Sequence, residues 1–126
     1  MTNTIRQKFW LAVNIYHEAR GEFHEGMVAV GHVVLNRAEK RKKTAEEVIL
    51  QSMQFSWHNG NVFPDIKDYE SFIRCQVATE DIIAERLNGE TLSGADHYFN
   101  PSIVLPSWAK KMTLVKRIGN HDFYRS

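Results

Sequence analysis

The sequence predicts a mainly α (α+β) domain, with helices through the first two thirds of the chain and a short C-terminal β-hairpin. Three observations lead there. The three prolines, Pro64, Pro101 and Pro106, all lie beyond the first half of the 126 residues. Before residue 88, apolar residues recur at helical spacing. In the tail, the strand-like pieces 97–99 and 113–118 are followed by the turn signal Gly119-Asn120, so that 113–124 reads as a hairpin.

A first helix is expected over residues 5–20. Thr4 and Gln7 have capping-box spacing, Phe9, Val13 and Tyr16 share a face, and Gly21 supplies a stop. A second helix is expected over 24–40. Its centre, Met27 to Leu35, is apolar on nearly every face and reads as a helix threaded through the core. Its β-branched content makes a buried strand the rival reading; length and the continuation Asn36-Arg37-Ala38-Glu39 favour helix. Thr44 and Glu47 repeat the capping-box spacing before a short helix ending near Leu50. Residues 51–67 read as a long irregular loop, a length more often functional than idle. A further helix is expected over 69–87, with Phe72, Cys75, Ile82 and Leu87 inward and Asn88-Gly89 closing it.

Composition excludes several classes. With 43% hydrophobic and 25% charged residues, the chain is no disordered tail, collagen-like chain or disulfide-rich miniprotein. Lys and Arg number 16 against 15 Asp and Glu, a net charge of +1, so no general grip on nucleic acid is expected. Cys75 is the only cysteine, which rules out an intramolecular disulfide and fits synthesis in a reducing compartment. The longest apolar run, Met27 to Leu35, falls far short of the ~20 residues a membrane helix needs, so no stable membrane insertion is expected. The opening residues lack the pattern of a signal peptide; synthesis in the cytoplasm without one is expected.

The densest group of reactive side chains is His17-Glu18-Ala19-Arg20-Gly21-Glu22-Phe23-His24-Glu25, between the first two helices. Glu18 belongs to the last turn of a helix with apolar neighbours. The negative helix end and partial desolvation both disfavour its ionised form and raise its pKa. A glutamate so tuned can protonate a leaving oxygen, as glycosidic cleavage requires. By spacing alone, charges decorating a solvated turn are the commoner case. His17-Glu18 begins like the zinc motif H-E-x-x-H, but Gly21 stands where the second histidine belongs. His17 and His24 meet His97 or His121 only at long range, and no metal and no cofactor are expected. Gln54, Phe55, Ser56 and Trp57 mix aromatic faces with hydroxyl and amide groups, which suits a glycan groove; Phe55 and Trp57 pinning a loop to the core is the plainer alternative. Tyr98, Asn100 and His121 are further groove candidates. Trp108, Phe123 and Tyr124 are expected in the core, His32 as a hydrogen-bonded core histidine, and Cys75 as a small buried hydrophobe. Arg37 with Lys40, Arg41, Lys42 and Lys43 reads as a solvated helix end that also suits an anionic wall or membrane surface.

Several stretches together carry a family resemblance: Tyr16-His17-Glu18-Ala19-Arg20-Gly21-Glu22, Glu25 to Val30, Val33-Val34-Leu35-Asn36-Arg37, Gln54-Phe55-Ser56-Trp57, Ala95 to Pro101, Trp108-Ala109 and Ile118 to Tyr124. In this order they resemble the SleB-type cell wall hydrolases, the family of spore cortex-lytic enzymes, over nearly the whole chain. The resemblance implies peptidoglycan cleavage on a lysozyme- or lytic-transglycosylase-like fold, with Glu18 as catalytic acid. It further implies glycan strands as partner and a family that has also carried an amidase label. A single catalytic domain over 1–126, with no separate wall-binding domain, is expected. That departure from the spore members points to a phage or prophage lysis enzyme or virion component, acting as a monomer.

One carboxyl group suffices for a lytic transglycosylase, whereas a hydrolytic muramidase usually needs a second, for which Glu22 and Glu25 are nearest. Glu22 is expected in a supporting role, holding Arg20 or loop amides. The alternatives are a zinc amidase cutting between N-acetylmuramic acid and the stem peptide, and a non-catalytic glycan-binding wall protein.

Overall fold

The computed structural model describes residues 4–53 and 66–126. Four helices, α1 (Ile5–Ala19), α2 (His24–Arg41), α3 (Ala45–Met53) and α4 (Tyr69–Leu87), precede three strands, β1 (His97–Phe99), β2 (Thr113–Ile118) and β3 (His121–Arg125). The fold class is as the sequence predicts. Gln54, Phe55, Ser56 and Trp57 lie outside the described residues.

Helices α1, α3 and α4 each begin at a side-chain cap. Thr4 accepts a hydrogen bond from the Gln7 amide at 3.2 Å. Only half of that capping box forms, because the buried Gln7 side chain turns to α3 and accepts from the Glu46 amide at 3.0 Å. Gln7 thus satisfies an otherwise orphaned donor in the first turn of α3 and ties two helix starts together. At α3 the box is complete: the Glu47 amide donates to Thr44 Oγ1 at 3.1 Å and the Thr44 amide to Glu47 Oε1 at 2.9 Å. Asp68 caps α4 by accepting from the Ser71 amide at 3.1 Å. Helix α3 runs three residues past the expected Leu50, and α2 one past Lys40.

Helix α2 is buried without a gap from Gly26 to Asn36, which settles helix against strand. It packs against α1, α3 and α4 and meets the sheet as well. Gly31 permits the closest approach: a Cβ there would lie 2.1 Å from Ile82 Cδ1 and 3.4 Å from Ile15 Cδ1. His32, also inside, is held through Nε2 by Glu85 at 2.8 Å and through Nδ1 by Arg86 at 3.2 Å, as the sequence suggests. Cys75 is buried, and burial pushes its thiol pKa up to about 11, so it packs as a hydrophobe.

The inward assignment of Leu87 is corrected, and Phe9 leaves the face it shares in sequence with Val13 and Tyr16. Phe9 is 43% exposed, because Trp10, Val13 and Tyr16 fill the inner face and leave Phe9 edge-on to Phe72 at the rim. Leu87 is 77% exposed, because the last turn of α4 extends past the core that Cys75, Ala78 and Ile82 reach.

The sheet has order β1-β3-β2, all antiparallel. The expected hairpin is β2–β3, turned by Gly119 at φ +58°. Alternation sorts the side chains by face. Tyr98, His121 and Phe123 contact one another on the inner face. Phe99 and Tyr124 stack on the outer face, where Trp108 meets both edge-on. Phe123 is therefore in the core, whereas Trp108 and Tyr124 are only half-buried and cover the sheet from outside. Among the described residues no helix is long and apolar enough to cross a membrane.

The Gly31 contact yields a stability prediction. Gly31→Ala is expected to cost about 1–3 kcal/mol in denaturant unfolding, through a clash with the buried Ile82 side chain. Ile82→Val removes the clashing methyl and is expected to recover part of that loss, seen as a favourable coupling in a double-mutant cycle.

Candidate functional site

Glu18 stands in the last turn of α1, where the helix presents its negative end. Asn14, Val33, Val34, Arg37, Val48, Ile49, Ser52 and Tyr98 close around it, so residues from α1, α2, α3 and β1 meet at one carboxyl group. The hollow they form measures about 40 Å³, room for a water or a hydroxyl rather than a whole sugar. Glu18 itself is exposed to water on one side and lines the hollow on the other, together with Val33, Val34, Val48 and Ile49. Burial raises the Glu18 pKa above the ordinary glutamate value, opposed by the Arg37 guanidinium and, more weakly, by the neighbouring His121. Among the described residues no hydrogen bond or ion pair engages that carboxyl.

Arg37 departs from the sequence reading. It is no solvated helix end but half-buried, with Nε donating to the Asp96 carbonyl at 2.7 Å. That bond holds the guanidinium beside the hollow as a fixed cation. Arg37 lies three and four residues after Val34 and Val33, and this helical spacing is the signal that could have found it. Asp96 is itself pinned. Burial alone would raise its pKa, but hydrogen bonds from Ser126, His97 and Lys40 hold it well below the usual carboxylate range. The Tyr98 phenol is pushed up by burial and by the nearby Glu18 charge, which keeps it a neutral donor.

His121 meets the Tyr98 ring edge-on at 5.3 Å and pairs with Glu22 Oε1 at 3.4 Å. Glu22 is nested between two glycines. A Cβ on Gly26 would lie 3.0 Å from Glu22 Cβ, and one on Gly119 would lie 2.7 Å from Oε1. From the β2–β3 turn, the Asn120 amide and side chain donate to the two Glu22 oxygens at 3.5 and 3.4 Å. Arg20 instead lies over the Tyr16 ring, 4.4 Å from its centroid. Glu25 is exposed and paired with Lys116 at 3.2 Å.

The structure thus gathers Glu18, Tyr98 and His121, with Glu22 behind His121. Asn100 is turned into its own loop, where its Oδ1 accepts from the Ser102 amide at 3.0 Å and hydroxyl at 2.6 Å. His24 pairs with Asp81 at 2.7 Å. Among the described residues no three His, Cys, Asp or Glu side chains are grouped to hold a metal ion.

Residues 21–124 match the family model described as Cell Wall Hydrolase. The spore cortex-lytic enzyme of Halalkalibacterium halodurans is 31% identical over 116 residues, which is 90% of this chain and 33% of that one. The chain spans about a third of the length of that curated relative. Two solved structures are similar over nearly their full length. The catalytic domain of the germination-specific lytic transglycosylase SleB from Bacillus anthracis superposes with TM-score 0.73 at 27% identity, covering 97% of this chain and 96% of that one. The catalytic domain of SleB from Bacillus cereus gives TM-score 0.73 at 29% identity, covering 98% and 94%.

The raised pKa of Glu18 makes a signed prediction. A carboxyl that holds its proton more tightly when folded contributes most below its unfolded pKa, and that contribution is lost as pH rises through the folded pKa. Glu18→Gln is expected to melt with the wild type near pH 3.5, below the unfolded value of about 4.3. At neutral pH it is expected to melt higher, as thermal unfolding followed by circular dichroism at both pH values would report.

Proposed function

The chain belongs to the cell wall hydrolase family, and from that membership we propose that it cleaves the glycosidic bond between N-acetylmuramic acid and N-acetylglucosamine in peptidoglycan, with Glu18 as general acid and then base. The observation that carries the reading is the state of Glu18: a carboxyl with raised pKa, unengaged among the described residues, lining a hollow it shares with Tyr98 and Arg37. The similar Bacillus anthracis domain comes from a lytic transglycosylase, which supports cleavage of a glycosidic bond here too.

In this scheme the glycan lies across the mouth of the hollow, since the hollow itself admits only one small group. Protonated Glu18 gives its proton to the bridging oxygen, and the bond from the muramic acid C1 to that oxygen breaks. N-acetylglucosamine leaves with a free hydroxyl at C4. The Glu18 carboxylate then takes the proton of the muramic acid C6 hydroxyl, whose oxygen bonds to C1 and closes a 1,6-anhydro ring. The acid is restored and no water is consumed. Two opposed influences suit this double role. Apolar walls keep the proton on Glu18 at the start, and Arg37 with His121 stabilise the anion formed midway.

The reading assigns no direct chemistry to Glu22, whose oxygens face Asn120 and His121. We assign it to positioning: it holds His121 and the hairpin turn against the corner between α1 and α2. Gln54, Phe55, Ser56, Trp57, Tyr98 and His121 remain proposed glycan contacts, whereas Asn100 is given to its own loop.

Two outcomes test this. Digestion of purified wall followed by mass spectrometry is expected to yield anhydro-muropeptides about 18 Da lighter than the hydrolytic products, one water per cut. Glu18→Gln is expected to abolish them in a folded protein. Reducing-end products would redirect the assignment to a muramidase, and new free amino termini to an amidase. Glu22→Gln is expected to lower kcat by roughly 10- to 100-fold with a smaller change in KM, as befits displaced rather than missing chemistry.

A further inference from the structure

We propose that the loop between β1 and β2, with Ile103, Val104 and Leu105 at its tip, docks on an anionic lipid bilayer. The tip residues are 80%, 50% and 76% exposed, three consecutive aliphatic side chains given to solvent. Isolated exposed apolar residues are ordinary, but a contiguous exposed group is a feature of interaction sites.

The loop is built to display them. The Asn100 carbonyl accepts from the Ile103 and Val104 amides at 3.0 and 3.1 Å, and Pro101 and Pro106 bracket the turn. Behind it, Trp108 anchors the chain to Phe99 and Tyr124 on the outer face of the sheet. Little ordering remains to be done on docking, which favours binding by so small a surface.

Charge selects the occupant. From residue 97 to 121 the chain has no Asp or Glu, but has Lys110, Lys111, Lys116 and Arg117. This segment carries four positive charges in a chain of net charge +1, which leaves −3 on all the rest. Lys116 and Arg117 face Glu25 and Asp122. Lys110 and Lys111, both exposed, have no acidic partner among the described residues and end the 3₁₀ turn (Ser107–Lys111) that begins two residues after Leu105. At about 2 Å per residue the turn itself is only roughly 10 Å long, so the two lysines follow the tip closely along the chain. Aliphatic groups flanked by lysines match the acyl boundary and anionic headgroups of a bilayer. A sugar finds neither aromatic face nor hydroxyl on the tip, and a second copy would bring like charges together.

The test is co-sedimentation of the full chain with vesicles of phosphatidylcholine, with or without about 30% phosphatidylglycerol, at roughly 50 and 300 mM salt. Binding is expected to be at least about tenfold stronger to the anionic vesicles at low salt, and to fall at high salt. Joint replacement of Ile103, Val104 and Leu105 by Ser, and separately Lys110→Glu with Lys111→Glu, are each expected to reduce it by about tenfold or more. Leu87→Ser, on the exposed end of α4, is expected to change nothing. Circular dichroism shows that each variant is folded. The proposal is overturned by equal partition of wild type and loop variants, or by no preference for the anionic lipid. It is equally overturned if the loop variants alter self-association or sacculus binding while vesicle binding stays as it was. Bond cleavage is read separately on soluble wall fragments, which the loop variants are expected to cut at the wild-type rate, so failure here leaves the glycosidic assignment to its own test.

Discussion

A helix buried on every side leaves its neighbours little freedom, and α2 imposes that constraint here. From Gly26 to Asn36 it exposes no face to water, so α1, α3, α4 and the sheet must each find a place against it. Gly31 lets α4 come in close through Ile82, and Val33 and Val34 line the ground on which Glu18 rests. Burying so much aliphatic surface supplies most of the driving force for the fold. It also makes the apolar walls that raise the Glu18 pKa. Stability and chemistry draw on the same residues.

The corner between α1 and α2 shows how a distant turn enters the site. Glu22 fits only because two glycines 93 residues apart, Gly26 and Gly119, lack side chains where it lies. Its carboxylate draws in the β2–β3 turn through Asn120 and sets His121 beside the Tyr98 ring. The inner face of a three-stranded sheet is thereby brought to the end of the first helix. Arg37, tied to the Asp96 carbonyl, does the same from the side of α2.

Local chemistry was legible where a signal spans a few residues. The Thr44–Glu47 box, the Tyr69–Leu87 helix, the Gly119-Asn120 turn and the buried His32 all follow from short-range patterns, and the structure agrees with each. The readings that needed correction concern which way a side chain faces. Gln7 has the spacing to close a capping box but serves α3 instead, because an orphaned amide of another helix lies within reach. Phe9 and Leu87 obey the helical period yet lie at the edge of the packed surface, and periodicity says nothing about where a neighbour ends. Arg37, in a run of basic residues, reads as solvent-facing until the carbonyl 59 residues away is placed beside it.

The amino-acid sequence by itself determined the helical frame, the late hairpin and the glutamate whose position at a helix end disfavours its charge. Those properties rest on contacts within a turn or two of chain. Tertiary structure alone decided that valines from α2 and α3 line the hollow beside that glutamate, that a half-buried arginine and a histidine lie near enough to oppose its desolvation, and that Glu22 pairs with the histidine. Desolvation and Coulomb attraction depend on distance in space, and no spacing along the chain encodes it.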